Sequence, residues 1–299
     1  AVAGLLYSIP MLIEIRLSPQ FHNWVYGYFP HSFVQQMRGS GFRPVVFLGH
    51  GLLVAIFCAM AVLATGLLAR QKQAIRGLPA TGLFLYLFVV LVLCKSMGAF
   101  MLAVASIPVL LWARPRRIAA VSGIVAFILL LYPLVRGTQF VPTGAVASFA
   151  RQFSADRADS LEFRLVNEDK LLAKTNERPL FGWGTWGRNR VYDGYDDSDT
   201  SVTDGSWIIV VSSFGWVGYL ASFGLLCYPL CARLAKSRRF GAASLTTVGL
   251  GLVLMINLID LIPNSSLFPL TWLIAGALSV PVRSQVPAGR ERAEAVAAA

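Results

Sequence analysis

Long apolar runs separated by short polar loops fill most of the chain. A helix needs about 20 apolar residues to cross a hydrocarbon core of about 30 Å, and several runs approach that length. We therefore predict an all-α polytopic membrane protein with about eight transmembrane segments. The chain also begins inside an apolar run, at Ala1, so we expect it to be the C-terminal part of a longer protein. The predicted segments lie near residues 45–69, 78–94, 97–113, 118–135, 207–232, 241–262 and 267–282, with the end of a partial one at 1–13.

One polar segment, residues 136–205, interrupts this pattern. It holds eleven of the fifteen acids, together with glycines, tryptophans and tyrosines. A loop that concentrates charge and aromatic residues in this way is expected to bind or react. We predict four regions: transmembrane helices at 1–135 with an external loop at 14–43, a site-bearing loop with short helices at 136–205, transmembrane helices at 206–283, and a disordered cytoplasmic tail at 284–299.

The basic residues give the expected orientation. The short loops at 70–77, 114–117 and 233–239 carry Lys and Arg but no acid. Such loops face the cytoplasm by the positive-inside rule, and the tail after Arg283 follows them. Alternation then places the other connections outside: residues 14–43, the hairpin at Lys95, the loop at 136–205 and the turn at 263–266.

Composition excludes an ordinary soluble domain, because 56% of the residues are hydrophobic and only 14% are charged. The formal net charge of +11 does not indicate nucleic-acid binding, since half of the 26 Lys and Arg residues are cytoplasmic anchors. All four cysteines fall inside predicted spans, where we expect them to pack as small apolar residues. Their spacing gives no zinc pattern and no disulfide framework.

Within the long loop, Asp159 and Glu162 resemble a capping box that opens a helix near 160–175. Arg164 and Glu168 lie one turn apart on that helix. One interpretation is a surface ion pair worth about 0.3 kcal/mol, and the other is an arginine that binds an anion at the membrane surface. The spacing alone leaves both interpretations open.

The stretch 181–187 alternates glycine with aromatic residues. No strand precedes it and no βαβ unit follows it, which excludes a dinucleotide fingerprint. Its glycines are expected to let the backbone approach a ligand or bend sharply. The nearby aromatic side chains suit either an interfacial belt or the flat faces of sugars, and the candidates for glycan binding are Trp183, Trp186 and Tyr192.

The run D-D-S-D at 196–199 contains an Asp-x-Asp pattern, which holds a divalent metal on a nucleotide sugar in many glycosyltransferases. Nucleotide sugars are not expected on the external side, so we interpret the run as a solvated acidic loop. A weak Ca²⁺ site is the alternative. We predict no resident metal and no cofactor.

Polar residues inside or beside the spans are costly in lipid and often mark a site. His50 lies near the start of one span and Lys95 at the tip of a tight hairpin, while Asn257, Asp260 and Asn264 form a stripe near the outer end of a helix. Interhelical hydrogen bonds, an ion pair or snorkelling would explain each of them structurally. Because all five are expected near the external half of the bilayer, we predict a shared polar cavity that opens outward.

Several stretches resemble the O-antigen ligase and polymerase family of bacterial polysaccharide enzymes. The ligases carry a His and then Asn, Ser or Gln, followed after nine residues by G-x-x-[G, T or Y]. Here D-G at 204–205 precedes G-W-V-G at 215–218 with the same spacing. Arg164 and the run E-R-P-L-F-G-W-G at 177–184 are similar to the family's R…R-P-L-F-G-x-G segment. The resemblance spans about residues 1–283.

Two stretches of the N-terminal half are also similar to the family. G-F-R-P at 41–44 with F-L-G-H at 47–50 resembles its R-P…F-G-H-P-N element, and K-S-M-G-A at 95–99 lies where the family has S-R-G-A. The chain departs from the family at two positions, where Asp204 replaces the His and Met97 replaces the Arg.

The resemblance implies an inverting, metal-independent glycosyltransferase of the bacterial inner membrane, embedded among membrane lipids, with its active face in the periplasm. The implied donor is a glycan on undecaprenyl diphosphate, and the implied acceptor is lipid A–core or a second saccharide. Such a transfer needs cations beside the departing diphosphate and a base for the acceptor hydroxyl. The implied catalytic residues are Asp204, as the base, and Arg164, which would grip the diphosphate. The other implied diphosphate ligands are Arg178, Lys95, Arg43 and His50.

Two other functions stay open at this point. A permease is favoured by the intramembrane Asp260 and Asn257, although the sequence has no sign of inverted repeats. A non-catalytic relative that assists polysaccharide assembly is favoured by Met97 and Asp204. Accumulation of undecaprenyl-linked glycan in a deletion strain would favour an enzyme or an accessory protein over a permease.

Overall fold

The computed structural model describes residues 1–38, 41–137, 148, 151, 155–195, 198–239 and 244–280. Over these residues the chain is mostly helical. Its ten α-helices are α1 (Val2–Leu17), α2 (Phe21–Tyr26), α3 (Gly51–Arg70), α4 (Ala80–Leu93), α5 (Met97–Trp112), α6 (Pro115–Gly137), α7 (Ala155–Asn176), α8 (Ser206–Arg239), α9 (Leu245–Asp260) and α10 (Pro269–Ser279).

Two short antiparallel strand pairs and one 3-10 helix lie in the loops of the described chain. The first pair joins β1 (Met37–Arg38) to β2 (Gly41–Phe42), directly after the 3-10 helix Phe33–Gln36. The second pair joins β3 (Ala74–Ile75) to β4 (Leu78–Pro79) in the turn between α3 and α4.

Three helices among the described residues are long and apolar enough to cross a membrane: Gly51–Arg70, Pro115–Gly137 and Ser206–Ala235. The helices α4, α5, α9 and α10 are also apolar but are shorter. This composition is that of a membrane protein, as predicted. The count of eight transmembrane segments stays a prediction.

Of the three membrane-length helices in the described chain, α3 is the most buried. It packs against α1, α4, α5 and α9, and α6 packs against α8 and α9 to complete the core. In α8, Tyr219 is fully buried and its hydroxyl donates to the carbonyl oxygen of Leu129 in α6 over 2.9 Å. The four cysteines are free and are buried or partly buried in this core, as expected.

Hydrogen bonds show which helix ends lie together. Arg70 Nη1 donates to the carbonyl oxygen of Leu110 over 2.5 Å, and Gln71 Nε2 donates to Thr246 Oγ1 over 2.8 Å. The end of α3, the end of α5 and the start of α9 therefore share one end of the bundle, which is the end expected to face the cytoplasm. The start of α3, the hairpin between α4 and α5, and the end of α9 share the opposite end.

The predicted span at 45–69 starts too early. The helix α3 begins only at Gly51, because Val46 and Gly49 have left-handed φ angles of 49° and 80° that a right-handed helix cannot include. His50 is the N-cap of α3, and its ring nitrogen Nδ1 accepts from the amide of Leu52 over 3.0 Å. The residues before α3 are thus a structured loop outside the helix.

The polar segment at 136–205 contains the 22-residue helix α7, which is tied to the end of α6 by a buried arginine. Arg136 is 2% exposed and contacts Glu168 Oε2 at 3.4 Å, Asp169 Oδ1 at 2.8 Å and the carbonyl oxygen of Leu165 at 3.1 Å. Burial raises the pKa of Glu168, and Arg136 opposes that shift. The alternative in which Glu168 pairs with Arg164 on the helix surface is therefore wrong.

The predicted capping box is also wrong. Because α7 begins at Ala155, Asp159 and Glu162 lie inside the helix and not at its start. Both carboxylates instead accept from Nη2 of Arg151 at 3.0 Å. The acids at 196 and 197 and the predicted tail at 284–299 lie outside the described residues.

Candidate active site at the outer helix ends

Arg164 and Asp204, the two predicted catalytic residues, lie together. Arg164 belongs to α7, and Asp204 lies in the loop that leads into α8. Nε of Arg164 is 3.4 Å from Oδ2 of Asp204, and Nη1 of Arg164 donates to the carbonyl oxygen of Pro263 over 3.1 Å. Their side chains are 34% and 41% exposed, so the pair is accessible to a substrate.

A turn after α9 carries the carbonyl group that binds Arg164. Asp260, the last residue of α9, is 4% exposed and accepts from Asn264 Nδ2 over 2.8 Å and from Ser266 Oγ over 2.5 Å. The amide and the hydroxyl of Ser206 both donate to the carbonyl oxygen of Asn264, over 3.1 and 3.0 Å. The carboxylate of Asp260 therefore positions the turn on which Arg164 rests.

The predicted polar stripe on α9 is only partly correct. The helix ends at Asp260, so Asn264 lies in the following turn and not on the same helical face. Asn257 is fully buried and its Oδ1 accepts from Thr271 Oγ1 over 2.6 Å, which joins α9 to α10. Asn257 and Asp260 thus form hydrogen bonds with different partners, in α10 and in the turn after α9 respectively.

Gly205, which follows Asp204, is required by close packing. A Cβ atom at this position would clash with the carbonyl oxygen of Ile262. The Asn, Ser or Gln that the ligases carry here does not fit beside this turn. The departure of the chain from the family at this position is therefore matched by its local structure.

A second cluster forms at the start of α3, around Arg43. The side chain of Arg43 is buried, at 7% exposure, and its Nη2 lies 3.4 Å from the carbonyl oxygen of Lys95. Nζ of Lys95 donates to the carbonyl oxygen of Arg38 over 2.9 Å. The β1–β2 pair and the α4–α5 hairpin thereby bring three cationic residues together. Two of them, Arg43 and Lys95, are predicted diphosphate ligands, and the third is Arg38.

Glu14 holds the loop after Arg43 in place. This acid in α1 is 1% exposed, and its carboxylate accepts from the amides of Val45 and Val46 at 2.7 Å and of Phe21 at 2.9 Å. Sequence reasoning missed Glu14, although a lone acid in an apolar helix is a usable signal.

The polar atoms around Arg43 are incompletely satisfied. Within the described residues, Nε of Arg43 and both amide atoms of Gln36 are buried without a hydrogen-bond partner. No carboxylate in the described part of the chain forms an ion pair with Arg43. Burial, reinforced by Arg38, lowers the pKa of Arg43 to about 10, so the group stays cationic at neutral pH. A buried cation without a counter-ion is costly, and an external anion would relieve that cost.

His50 contributes a hydrogen-bond donor to this cluster and no charge. Burial, followed by the nearby His31 and Arg43, lowers the pKa of His50 to about 4. Because Nδ1 accepts from the amide of Leu52, the proton of the neutral ring is on Nε2.

Arg178 and Trp183 form a third contact, on the long segment. The guanidinium carbon of Arg178 lies 4.2 Å from the centre of the Trp183 ring, and Nζ of Lys174 lies 4.8 Å from it. Nε1 of Trp183 donates to the carbonyl oxygen of Lys174 over 2.8 Å. The predicted sugar-binding ring is therefore already in contact with two cations.

Trp186 and Tyr192 are the exposed members of the aromatic set, at 94% and 45%. Trp186 has a left-handed φ of 62°, and the hydroxyl of Tyr192 donates to the carbonyl oxygen of Gly187 over 3.2 Å.

Met97, which replaces the family's Arg, is the first residue of α5 and is half-exposed. It gives this part of the surface an apolar side chain.

Residues 82–223 match the family model described as O-antigen ligase. This segment, a little under half of the chain, is similar to O-antigen ligases. The matched segment runs from α4 to the middle of α8 and includes Lys95, Arg164, Arg178 and Asp204, whereas Arg43 precedes it. No curated protein matches the chain. Among the described residues, no cluster of three or more His, Cys, Asp or Glu side chains offers a metal site.

Proposed function

We propose that the chain is an inverting, metal-independent glycosyltransferase of the bacterial inner membrane. It transfers a glycan from undecaprenyl diphosphate to a lipid or saccharide acceptor on the periplasmic face. The observation that carries this proposal is the accessible Arg164–Asp204 pair, which combines a cation and a carboxylate at one end of an O-antigen ligase-like bundle.

In this proposal Asp204 is the general base. The acceptor hydroxyl attacks the anomeric carbon from the side opposite the diphosphate, and its proton passes to the Asp204 carboxylate. The new carbon–oxygen bond forms as the bond to the diphosphate oxygen breaks, and the electron pair leaves with the diphosphate. Arg164 holds Asp204 in place through the contact between Nε and Oδ2.

The departing diphosphate requires positive charge. Arg43 supports this role best, because its buried guanidinium carries an unpaired Nε and lies beside an unpaired Gln36 amide in the described structure. Charge-assisted hydrogen bonds from arginine to phosphate are among the strongest that proteins form. Lys95 adds positive charge beside Arg43, and Arg178 adds positive charge on the long polar segment. The neutral ring of His50 adds a hydrogen-bond donor.

The proposal is tested by assaying glycan transfer in membranes that contain Asp204→Ala or Arg164→Ala. The chain offers a matched control, because Arg190 and Asp199 form another ion pair in the same polar segment. Transfer should be lost in the first two variants and kept in Arg190→Ala and Asp199→Ala at equal expression. Normal product from Asp204→Ala and Arg164→Ala would remove both proposed roles.

A non-catalytic relative that assists polysaccharide assembly is the second candidate. It is favoured by Met97, which places an apolar side chain where the family has Arg. Purified protein that binds the lipid-linked glycan but never transfers it would support this candidate. The permease alternative has less support, since Asp260 and Asn257 are engaged by Asn264, Ser266 and Thr271.

A further inference from the structure

The segment 179–184 closes a break in the helix α8. Gly215 has a φ of 65° and a ψ of −168°, which interrupts the helix. The amides of Trp216 and Val217 donate to the carbonyl oxygens of Pro179 and Leu180 over 2.8 and 3.2 Å. In return, the amides at 183 and 184 donate to the carbonyl oxygens at 212 and 213 over 2.9 and 2.8 Å.

The two backbones touch because both contain glycine. A Cβ on Gly182 would lie 2.6 Å from the backbone nitrogen of Gly215, and a Cβ on Gly215 would clash with the backbone of Leu180. Gly182 also has a left-handed φ of 68°. The glycines thus let two chain segments approach each other, whereas the sequence suggested an approach to a ligand or a sharp bend.

The break lies near the expected outer boundary of the hydrocarbon core. The apolar part of α8 is Ser206–Ala235, and its Arg233 lies on the cytoplasmic side by the positive-inside rule. A core of about 30 Å corresponds to about 20 residues of helix, which reaches back from there to about residue 213. Non-helical backbone is tolerated at such depth only where other protein groups satisfy it, and the four hydrogen bonds from segment 179–184 do so.

The side chains around the break form one exposed apolar surface. Leu180 and Phe181 are 62% and 73% exposed, and on the adjacent face of α8 Phe214, Val217 and Leu220 are 48%, 50% and 53% exposed. The hydrogen bond from Val217 to Leu180 makes the two sets neighbours. The outward face of a membrane-crossing helix contacts lipid, and Leu180 and Phe181 continue that face.

We propose that Leu180 and Phe181 insert among the acyl chains of the outer leaflet, so that segment 179–184 is a shallow membrane anchor. The stacked cations Lys174 and Arg178 then lie at the level of the lipid headgroups, where long basic side chains reach water and phosphate. The anchor would fix the loop relative to the membrane surface from which a lipid-linked substrate arrives.

Nitroxide labels test the proposal in the full chain reconstituted in lipid nanodiscs. Phe181→Cys is compared with Tyr195→Cys, a residue of the same polar segment that is 98% exposed. Wild-type protein treated identically measures labelling of the native cysteines. The ratio of oxygen accessibility to water-soluble nickel-complex accessibility should be several-fold higher at 181 than at 195. Leu180→Cys is a second reporter if Phe181→Cys does not accumulate.

Equal ratios at 181 and 195 would overturn the proposal, because both labels would then be in water. Low accessibility to both reagents at 181 would overturn it too, since a protein surface would then cover the segment. Neither outcome depends on glycan transfer, so the anchor and the proposed enzymatic activity are tested separately.

Discussion

Arg43 and Arg164 occupy opposite environments at the same end of the bundle. Arg43 is buried and has no carboxylate partner in the described structure, whereas Arg164 is one-third exposed and contacts Asp204. A buried, unpaired guanidinium is held ready for an external anion. A paired guanidinium is already neutralised and mainly orients its partner. In the proposed mechanism, this difference assigns Arg43 to the diphosphate and Arg164 to the reacting carboxylate.

The largest expected effect is on turnover. Asp204→Asn keeps the size of the side chain but removes the base, so kcat should fall by about 100-fold or more. The affinity for the donor should stay close to that of the wild type, because Asp204 does not bind the diphosphate in this account. Transfer kinetics at varied donor concentration separate the two quantities, and a change confined to KM would contradict the assignment.

The next effect is a difference in melting temperature between variants of Arg43 and of Arg164. Arg43→Met removes a buried cation that has no counter-ion among the described residues, so the melting temperature should stay level or rise, while donor affinity falls by about 10-fold or more. Arg164→Met removes a paired, partly exposed cation and should not raise the melting temperature. Thermal unfolding of both purified variants is the measurement. A marked loss of stability in Arg43→Met would contradict the view that its charge is uncompensated in the folded chain.

A smaller effect is expected from the turn that supports Arg164. Asp260→Asn keeps the shape of the side chain but weakens the hydrogen bonds from Asn264 and Ser266. The carbonyl of Pro263 should then shift, and kcat should fall by about 10-fold with little change in donor KM. Thr271→Val is the control, because it breaks the hydrogen bond to Asn257 deeper in the bundle. This variant should not lower kcat relative to donor KM.

The smallest effect is a pH dependence near Arg43. The pKa of His50 is about 4 in the folded chain and about 6.5 when unfolded, so the unfolded chain binds the additional proton. The stabilisation that depends on an uncharged His50 is fully present above about pH 6.5 and is lost as the pH falls towards about 4. His50→Asn keeps a capping acceptor. Between about pH 7.5 and pH 5, the wild type should lose about 2 °C more in melting temperature than this variant.

The apolar runs predicted most helices because their length and composition alone decide a membrane-type helix. The start of α3 could not be predicted in this way, since the left-handed Val46 is stabilised by Glu14 from a distant helix. The capping box at Asp159 failed for a local reason. The helix α7 begins one turn earlier, at Ala155, and the carboxylate of Asp159 binds Arg151, an upstream residue of the same polar segment.

The residues of the candidate site that belong to a family motif could be predicted from the sequence, and the other residues could not. The resemblance placed Arg164 and Asp204 in one site, and they lie in contact. Gln36 belongs to no motif, and only the pairing of β1 with β2 places its amide near Arg43. The contribution of Asp260 through the carbonyl of Pro263 depends on a turn geometry that sequence spacing does not encode.

Binding of glycan-free undecaprenyl diphosphate to the full chain in nanodiscs tests the division between the two arginine clusters most directly. We expect Arg43→Met to raise the Kd by about 10-fold or more and Asp204→Asn to leave it unchanged. A Kd that is unaffected by Arg43→Met, or that rises as much in Asp204→Asn, would rule out this division of roles.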